Sequence, residues 1–318
     1  MRKPINKSHV EGRVYEHNLT IKTVQNRESN NYGKEFIGGT LDIATDEDCL
    51  NVVTINFTYV TPTTSKGNKN ETYTALKNII ENGKTVIVDG KDAATMVKVD
   101  TALGVNDFYT NRNGEETLVS AKRNEGGFVH IVTKLADDEA TRSTFEMDML
   151  INGTRLVEAD EERNIPANYL VVKGVVFNFR NAILPVEFVV KNEAGINYFE
   201  SLDASPSNLV FTKVWGTMKS ETIVTKREEE SAFGEASVKE YERKVREWII
   251  TGTAKETYEL GDSQNGITLD EIQKAMTDRN TYLADVKKRQ DEYQASKNNA
   301  TNVGSAVGVT AAQGGFNF

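Results

Sequence analysis

The residues with chemistry to offer are aromatic rings placed two positions from lysines and arginines. Between Leu209 and Lys219, the residues Phe211, Lys213, Trp215, Thr217 and Lys219 alternate with Val210, Val214 and Met218. On an extended strand such alternation puts each set on its own face. Tyr169, Lys173, Phe177 and Phe179 share a face by the same rule, and Arg13, Tyr15 and His17 lie opposite Val10, Gly12 and Val14. Phe36 and Thr40 lie opposite Ile37, Leu41 and Ile43. A ring on a wet strand face can stack on an unpaired base, which contributes about 1–3 kcal/mol, while a nearby cation follows the phosphates. Aromatic residues also occupy strands simply because they pack well there, and a lone surface lysine is ordinarily just solvated. Recurrence of the pattern in both halves of the chain favours a binding surface.

The candidate stacking residues are therefore Tyr15, Phe36, Phe177 and Trp215. The candidate phosphate contacts are Arg13, Lys22, Arg27, Lys34, Lys173, Lys213 and Lys219. Two polar loops add cations. Gln25–Lys34 carries Arg27, Tyr32 and Lys34, and Thr61–Glu71 carries Lys66 and Lys69. Both read as mobile connections able to close over a ligand.

The elements that must position these residues read as mainly β with minor α. Residues 1–135 hold strand-like runs at Val10–His17, Leu19–Val24, Glu35–Ala44, Val52–Val60, Thr85–Val88 and Phe128–Thr133, separated by turn-forming residues. A helix is expected from Thr72 to Asn82, stopped by Gly83. Residues 136–165 read as a polar connector. Residues 166–260 read as a second strand-rich unit with runs at Tyr169–Phe179, Leu184–Lys191, Tyr198–Leu202, Leu209–Lys219 and Arg246–Gly252, and a helix at Glu235–Val245. The second unit repeats the pattern of the first without visible sequence identity. Residues 261–297 form an amphipathic helix opened by the capping box Thr268–Glu271. Residues 298–318 read as a flexible tail ending Phe316-Asn317-Phe318.

Several chemistries have no footing. There is no phosphate-binding Gly-x-x-x-x-Gly-Lys loop, no His-Glu-x-x-His pair and no Gly-x-Ser-x-Gly elbow. One cysteine and three scattered histidines do not compose a zinc site. Acidic runs such as Asp137-Asp138-Glu139 read as solvated surface. No enzyme activity, metal or cofactor is expected. With 318 residues, 38% hydrophobic and 27% charged, the chain can bury about two cores. It lacks an apolar run of membrane-spanning length, and its first residues do not read as a signal peptide, which suits a cytoplasmic setting. The net charge of −9 argues against a basic arm that coats any polyanion, but a local basic groove remains compatible with it.

The stretch VEGRVYEHNLTIKTVQNRESNNYGKEFIGGTLDIAT resembles the opening of single-stranded-DNA-binding proteins with an OB-fold. Gly12-Arg13-Val14, Arg27, Gly33 and Phe36 carry the likeness, over about the first 90 residues. The chain as a whole is similar to bacteriophage proteins of this type. The resemblance implies an OB-like β-barrel with the Thr72–Asn82 helix between its third and fourth strands, and the repeated strand pattern extends this expectation to two tandem OB-like β-barrels followed by a C-terminal helix and flexible tail. The resemblance implies single-stranded DNA as partner, in replication or recombination. It also implies a tail whose Phe316 and Phe318 dock on replication or recombination proteins, although the acidic run usual in such tails is missing. A homo-oligomer is compatible with the helix. The competing expectation is a virion component such as a capsid, neck or tail protein, whose strand faces would be subunit contacts.

Overall fold

The computed structural model describes residues 3–112, 114–160, 165, 167–229, 233, 237–262 and 266–304. The expected partner-binding residues Phe316 and Phe318 lie outside the described residues. The chain is mainly β. The first half runs β1 (Asn6–His17), β2 (Thr20–Thr23), β3 (Glu35–Ala44), β4 (Val52–Val60), α1 (Glu71–Asn82), α2 (Val86–Asp89), β5 (Met96–Arg112) and β6 (Glu115–Val132). The second half runs β7 (Ser143–Val157), β8 (Tyr169–Phe177), β9 (Ile183–Val190), α3 (Glu193–Ser201), β10 (Val210–Glu229), β11 (Ser237–Thr253) and α4 (Leu269–Gly304).

Pairing closes each half into a ring of five strands. In the first, β1 pairs with β3, β3 with β4, β4 with β6, β6 with β5 and β5 with β1. Only β4–β6 is parallel. In the second, β7 pairs with β8, β8 with β9, β9 with β11, β11 with β10 and β10 with β7. Here only β9–β11 is parallel, through Ile249 and Val189. The two circuits are the same, and each places a helix after its third strand. β1 also pairs with β7, from Asn6 opposite Met147 to Val10 opposite Ser143, so both rings belong to one 11-stranded sheet.

The inward faces fill one continuous apolar cluster. Val10, Val14, Leu41, Ile55 and Val99 contribute from the first ring, and Met147, Val172, Phe188, Val214 and Ile250 from the second. Phe145, Phe188 and Trp248 stack within it at centroid separations of 5.2 to 5.8 Å. Helix α1 begins where the Asn70 side chain accepts from the Thr72 amide at 3.1 Å. It buries Tyr73, Leu76 and Ile79. A second cluster lies on the outer side of the second ring. There Ile267 and Ile272, at the start of α4, cover Leu150, Phe177, Ile183 and Phe211. The expected capping box starts this helix, with the Glu271 amide donating to Thr268 Oγ1 at 3.2 Å.

At Gly12 the backbones of β1 and β3 come so close that a Cβ would lie 2.0 Å from the Ala44 carbonyl oxygen. Forcing a side chain into such a contact costs about 1–3 kcal/mol. Gly12→Val is therefore expected to lower the urea midpoint clearly, and an unchanged midpoint would contradict the close approach.

Several expectations are corrected. Thr85–Val88, read as a strand, forms α2, because Thr85 Oγ1 caps the Val88 amide at 3.3 Å. Tyr198–Leu202 belongs largely to α3, capped by Asn192 Oδ1 on the Gly195 amide at 2.6 Å. Glu235–Val245, read as a helix, lies mostly in β11, which pairs with β10 as far as Glu229 opposite Ser237. Pairing overrides its helix-like spacing of charges. The connector 136–165 contains β7, a largely buried strand that opens the second ring. β5 was not anticipated, and β6 begins well before Phe128.

Candidate nucleic-acid interface

Each ring carries a partly exposed aromatic surface with a lysine beside it. In the first, Lys22 on β2 stands directly opposite Phe36 on β3. Phe36 packs against Tyr59 of β4 at 4.7 Å between centroids, and Tyr59 is 44% exposed. Simple alternation would send Tyr59 inward with Phe57. A bulge prevents this: Ile37 faces Val60, but Gly39 faces Phe57, so two steps on β3 match three on β4. The parity of β4 changes there, and Tyr59 joins the Phe36 face. The β2–β3 hairpin supports this surface. It is closed by the Val24 and Lys34 backbones at 3.0 Å, so Gln25–Lys34 is built from successive turns. Lys22, Arg27 and Lys34 are exposed. Among the described residues none of the three has an ion-pair partner, and Lys34 Nζ donates to Asn31 Oδ1 at 3.0 Å.

In the second ring Trp215 lies flat over the backbone of Gly252, its register partner on β11. A Cβ at position 252 would fall 2.4 Å from the indole nitrogen. Glycine there lets the ring lie down on the sheet and keep its outer face open, with 39% of the residue exposed. Lys213 Nζ sits 5.8 Å from the indole centroid. The Glu146 carboxylate at 3.0 Å holds this lysine in place and raises its pKa.

Other candidates are placed differently. Phe177 is fully buried, edge-on to Phe211 beneath the start of α4, so it is a core residue and not a stacking surface. Arg13 bonds the Glu47 carboxylate at 3.0 Å, and Arg142 joins from the other side at 2.9 Å. These guanidiniums, Arg13 first, hold Glu47 below the usual carboxylate range. Arg13 is thereby committed to the fold. Tyr15 is half-buried at an irregularity between Val14 and Glu16. Lys173 pairs with Glu187 across the β8–β9 ladder at 3.2 Å. Lys219 is exposed four residues beyond Trp215. Sequence reasoning missed Tyr59 and Gly252. The Thr58-Tyr59-Val60 end of β4 carries no sign of a bulge, whereas a glycine in a strand could have signalled close approach.

A family model described as YorF matches residues 5–289. The chain belongs to the YorF family. No curated protein matches it. Two solved structures are similar to it in part. One is the wild-type single-stranded DNA binding protein from Thermus aquaticus, at 9% identity and a TM-score of 0.46, covering 83% of this chain and 98% of that one. The other is a deletion mutant of the same protein, at 8% identity and a TM-score of 0.45, covering 83% and 100%.

In this YorF-family chain, α4 ties the two halves together. Its start covers the second ring, and its middle grips the β5–β6 hairpin of the first. Arg279 bonds both oxygens of Asp107, at 2.8 and 2.6 Å, and Ser120 donates to the same carboxylate at 2.6 Å. Gln290 pairs with the backbone of Tyr109 in both directions, at 2.9 and 2.7 Å. Lys287 reaches Glu116 at 2.6 Å. No helix among the described residues is long and apolar enough to cross a membrane.

The same YorF-family structure places Lys122 of β6 against the second ring. Its ammonium donates to the Glu187 carbonyl and lies 5.5 Å from the Phe188 centroid. Burial pushes its pKa down to about 8, against the opposing pull of Glu187 and Glu247. In the unfolded chain the lysine would titrate near 10.4. Between these values the unfolded state holds a proton that the folded state has released, so stability rises with pH. Urea midpoints measured at pH 7.5 and 9.5 should show this rise, and Lys122→Met should remove it. An equal rise in the variant would assign the effect to other groups.

Proposed function

We propose that this protein is a single-stranded-DNA-binding protein that acts without turnover, and that each five-stranded ring is an OB-type barrel. The carrying observation is the surface formed by Lys22, Phe36 and Tyr59 on β2, β3 and β4. The OB-fold binds oligonucleotides on the face of its second and third strands and through the loops after its first and fourth strands. In the first ring β3 and β4 are those strands, and the β5–β6 hairpin follows the fourth. Bases stack on Phe36 and Tyr59, while Lys22, Arg27 and Lys34 follow the phosphates. The second ring offers Trp215 and Lys213 for the same chemistry, but from its fourth strand, β10, rather than from β8 and β9. Stacking on aromatic rings tolerates any base, which supports binding with little sequence preference. Such a protein serves replication or recombination in the cytoplasm, including that of a phage-infected host.

The test is a fluorescence titration with poly-dT at two salt concentrations. Trp248 is buried in the core, so quenching reports Trp215. Tight quenching that weakens as salt rises is expected, with a slope of about 0.7 per neutralised phosphate. Absence of binding at low salt would reject the function and leave a structural role in a virion as the better account.

A further inference from the structure

Between the rings lies a cleft whose walls come from β4 and β6 on one side and β10 and β11 on the other. Lys122, Arg123, Lys219 and Arg246 all line it, in a chain whose net charge is −9. Among the described residues Glu247 is the one carboxylate on its walls, and Lys191 already holds it. Lys219 and Arg246 are exposed and have no ion-pair partner among the described residues. The walls are fixed to each other. The Asn51 side chain accepts from the Ser220 amide at 2.6 Å and donates to the Met218 carbonyl, which also receives Ser143 Oγ at 2.9 Å.

The cleft is lined by two of the strands that carry the aromatic surfaces, β4 with Tyr59 and β10 with Trp215. Along β4, Asn56 lines the cleft three residues from Tyr59, a span of about 10 Å. Along β10, Lys219 lies four residues from Trp215, about 13 Å, with Thr217 between them on the same face. A chain of bases stacked on Phe36 and Tyr59 that crosses to Trp215 through this cleft brings its phosphates past Lys219 and Arg246, while Glu125 holds Arg123 at 2.9 Å and the Glu187 carbonyl holds Lys122. We propose that the cleft is a phosphate-binding crossing that carries one DNA strand from the first ring to the second, making a single continuous site. This rests on the DNA-binding reading.

The test compares the full chain with the Lys219→Glu/Arg246→Glu variant, in which the replaced side chains take no part in ion pairs among the described residues. The probes are labelled oligo-dT of about 4 nucleotides, enough for one ring, and about 20, enough for both. The wild type should bind the long probe far more tightly than the short one. The variant should lose at least tenfold in affinity for the long probe, with a shallower salt slope, and keep wild-type affinity for the short one. An unchanged long-probe affinity, with Trp215→Ala still impaired, would overturn the crossing and leave the DNA-binding reading standing. A wild type that binds neither probe would overturn both.

Discussion

Replacing Phe36 and Trp215 together by alanine should weaken binding to long oligo-dT by about 30-fold or more. Each ring removes a stacking surface that contributes about 1–3 kcal/mol. The two residues lie on different rings and share no contacts, so their effects should add. Anisotropy with a labelled oligonucleotide is the appropriate measurement, because the substitution removes the intrinsic probe. Trp215 is partly exposed on the sheet surface, so its loss should move the urea midpoint little. Phe177→Ala should behave in the opposite way. Truncating this fully buried ring should cost about 3–5 kcal/mol of stability, with affinity kept wherever the protein remains folded. Equal affinities for the double variant and the wild type would remove the stacking mechanism.

The second large effect is expected at Arg279. The side chain of Asp107 is 1% exposed and that of Arg279 is 12% exposed. Arg279→Ala leaves a buried carboxylate with only Ser120 as donor. Breaking a buried pair from one side costs about 3–5 kcal/mol. The loss should be local, because α4 and the hairpin β5–β6 meet there and at Gln290. Hydrogen exchange should accelerate between residues 105 and 119 and in the second half of α4. The strands of the second ring should keep their protection. Unaltered exchange in the hairpin would show that other contacts carry the docking.

Strand positions were legible where one face is wet and the other apolar. Glu35–Ala44 and Val52–Val60 match the observed strands residue for residue, because alternation there coincides with burial. That the strand pattern of the first half returns in the second was legible too, although the second helix was expected at Glu235–Val245 and lies instead at Glu193–Ser201. What alternation could not give was the fate of an outer face. Phe177 and Phe211 do point outward from the second ring, but α4 returns to cover them, and no local pattern announces that contact. Arg13 was read as a free cation, yet it pairs with Glu47 from a distant loop, a carboxylate that Arg142 holds as well. Tyr59 reaches the outer face only because one bulge reverses the parity of β4, which simple alternation does not foresee. The highly charged β11 looked helical because its neighbours in sequence do not decide its shape. Its partner β10 does.

The ladder between β1 and β7 makes the protein a ruler. Domains joined by a linker can swing to suit whatever they hold, but rings that share a hydrogen-bonded seam keep their aromatic surfaces at a set separation. A flexible polymer laid across both must adopt the length that the seam dictates. Dyes at the two ends of a bound oligonucleotide should therefore report one narrow distance, independent of salt.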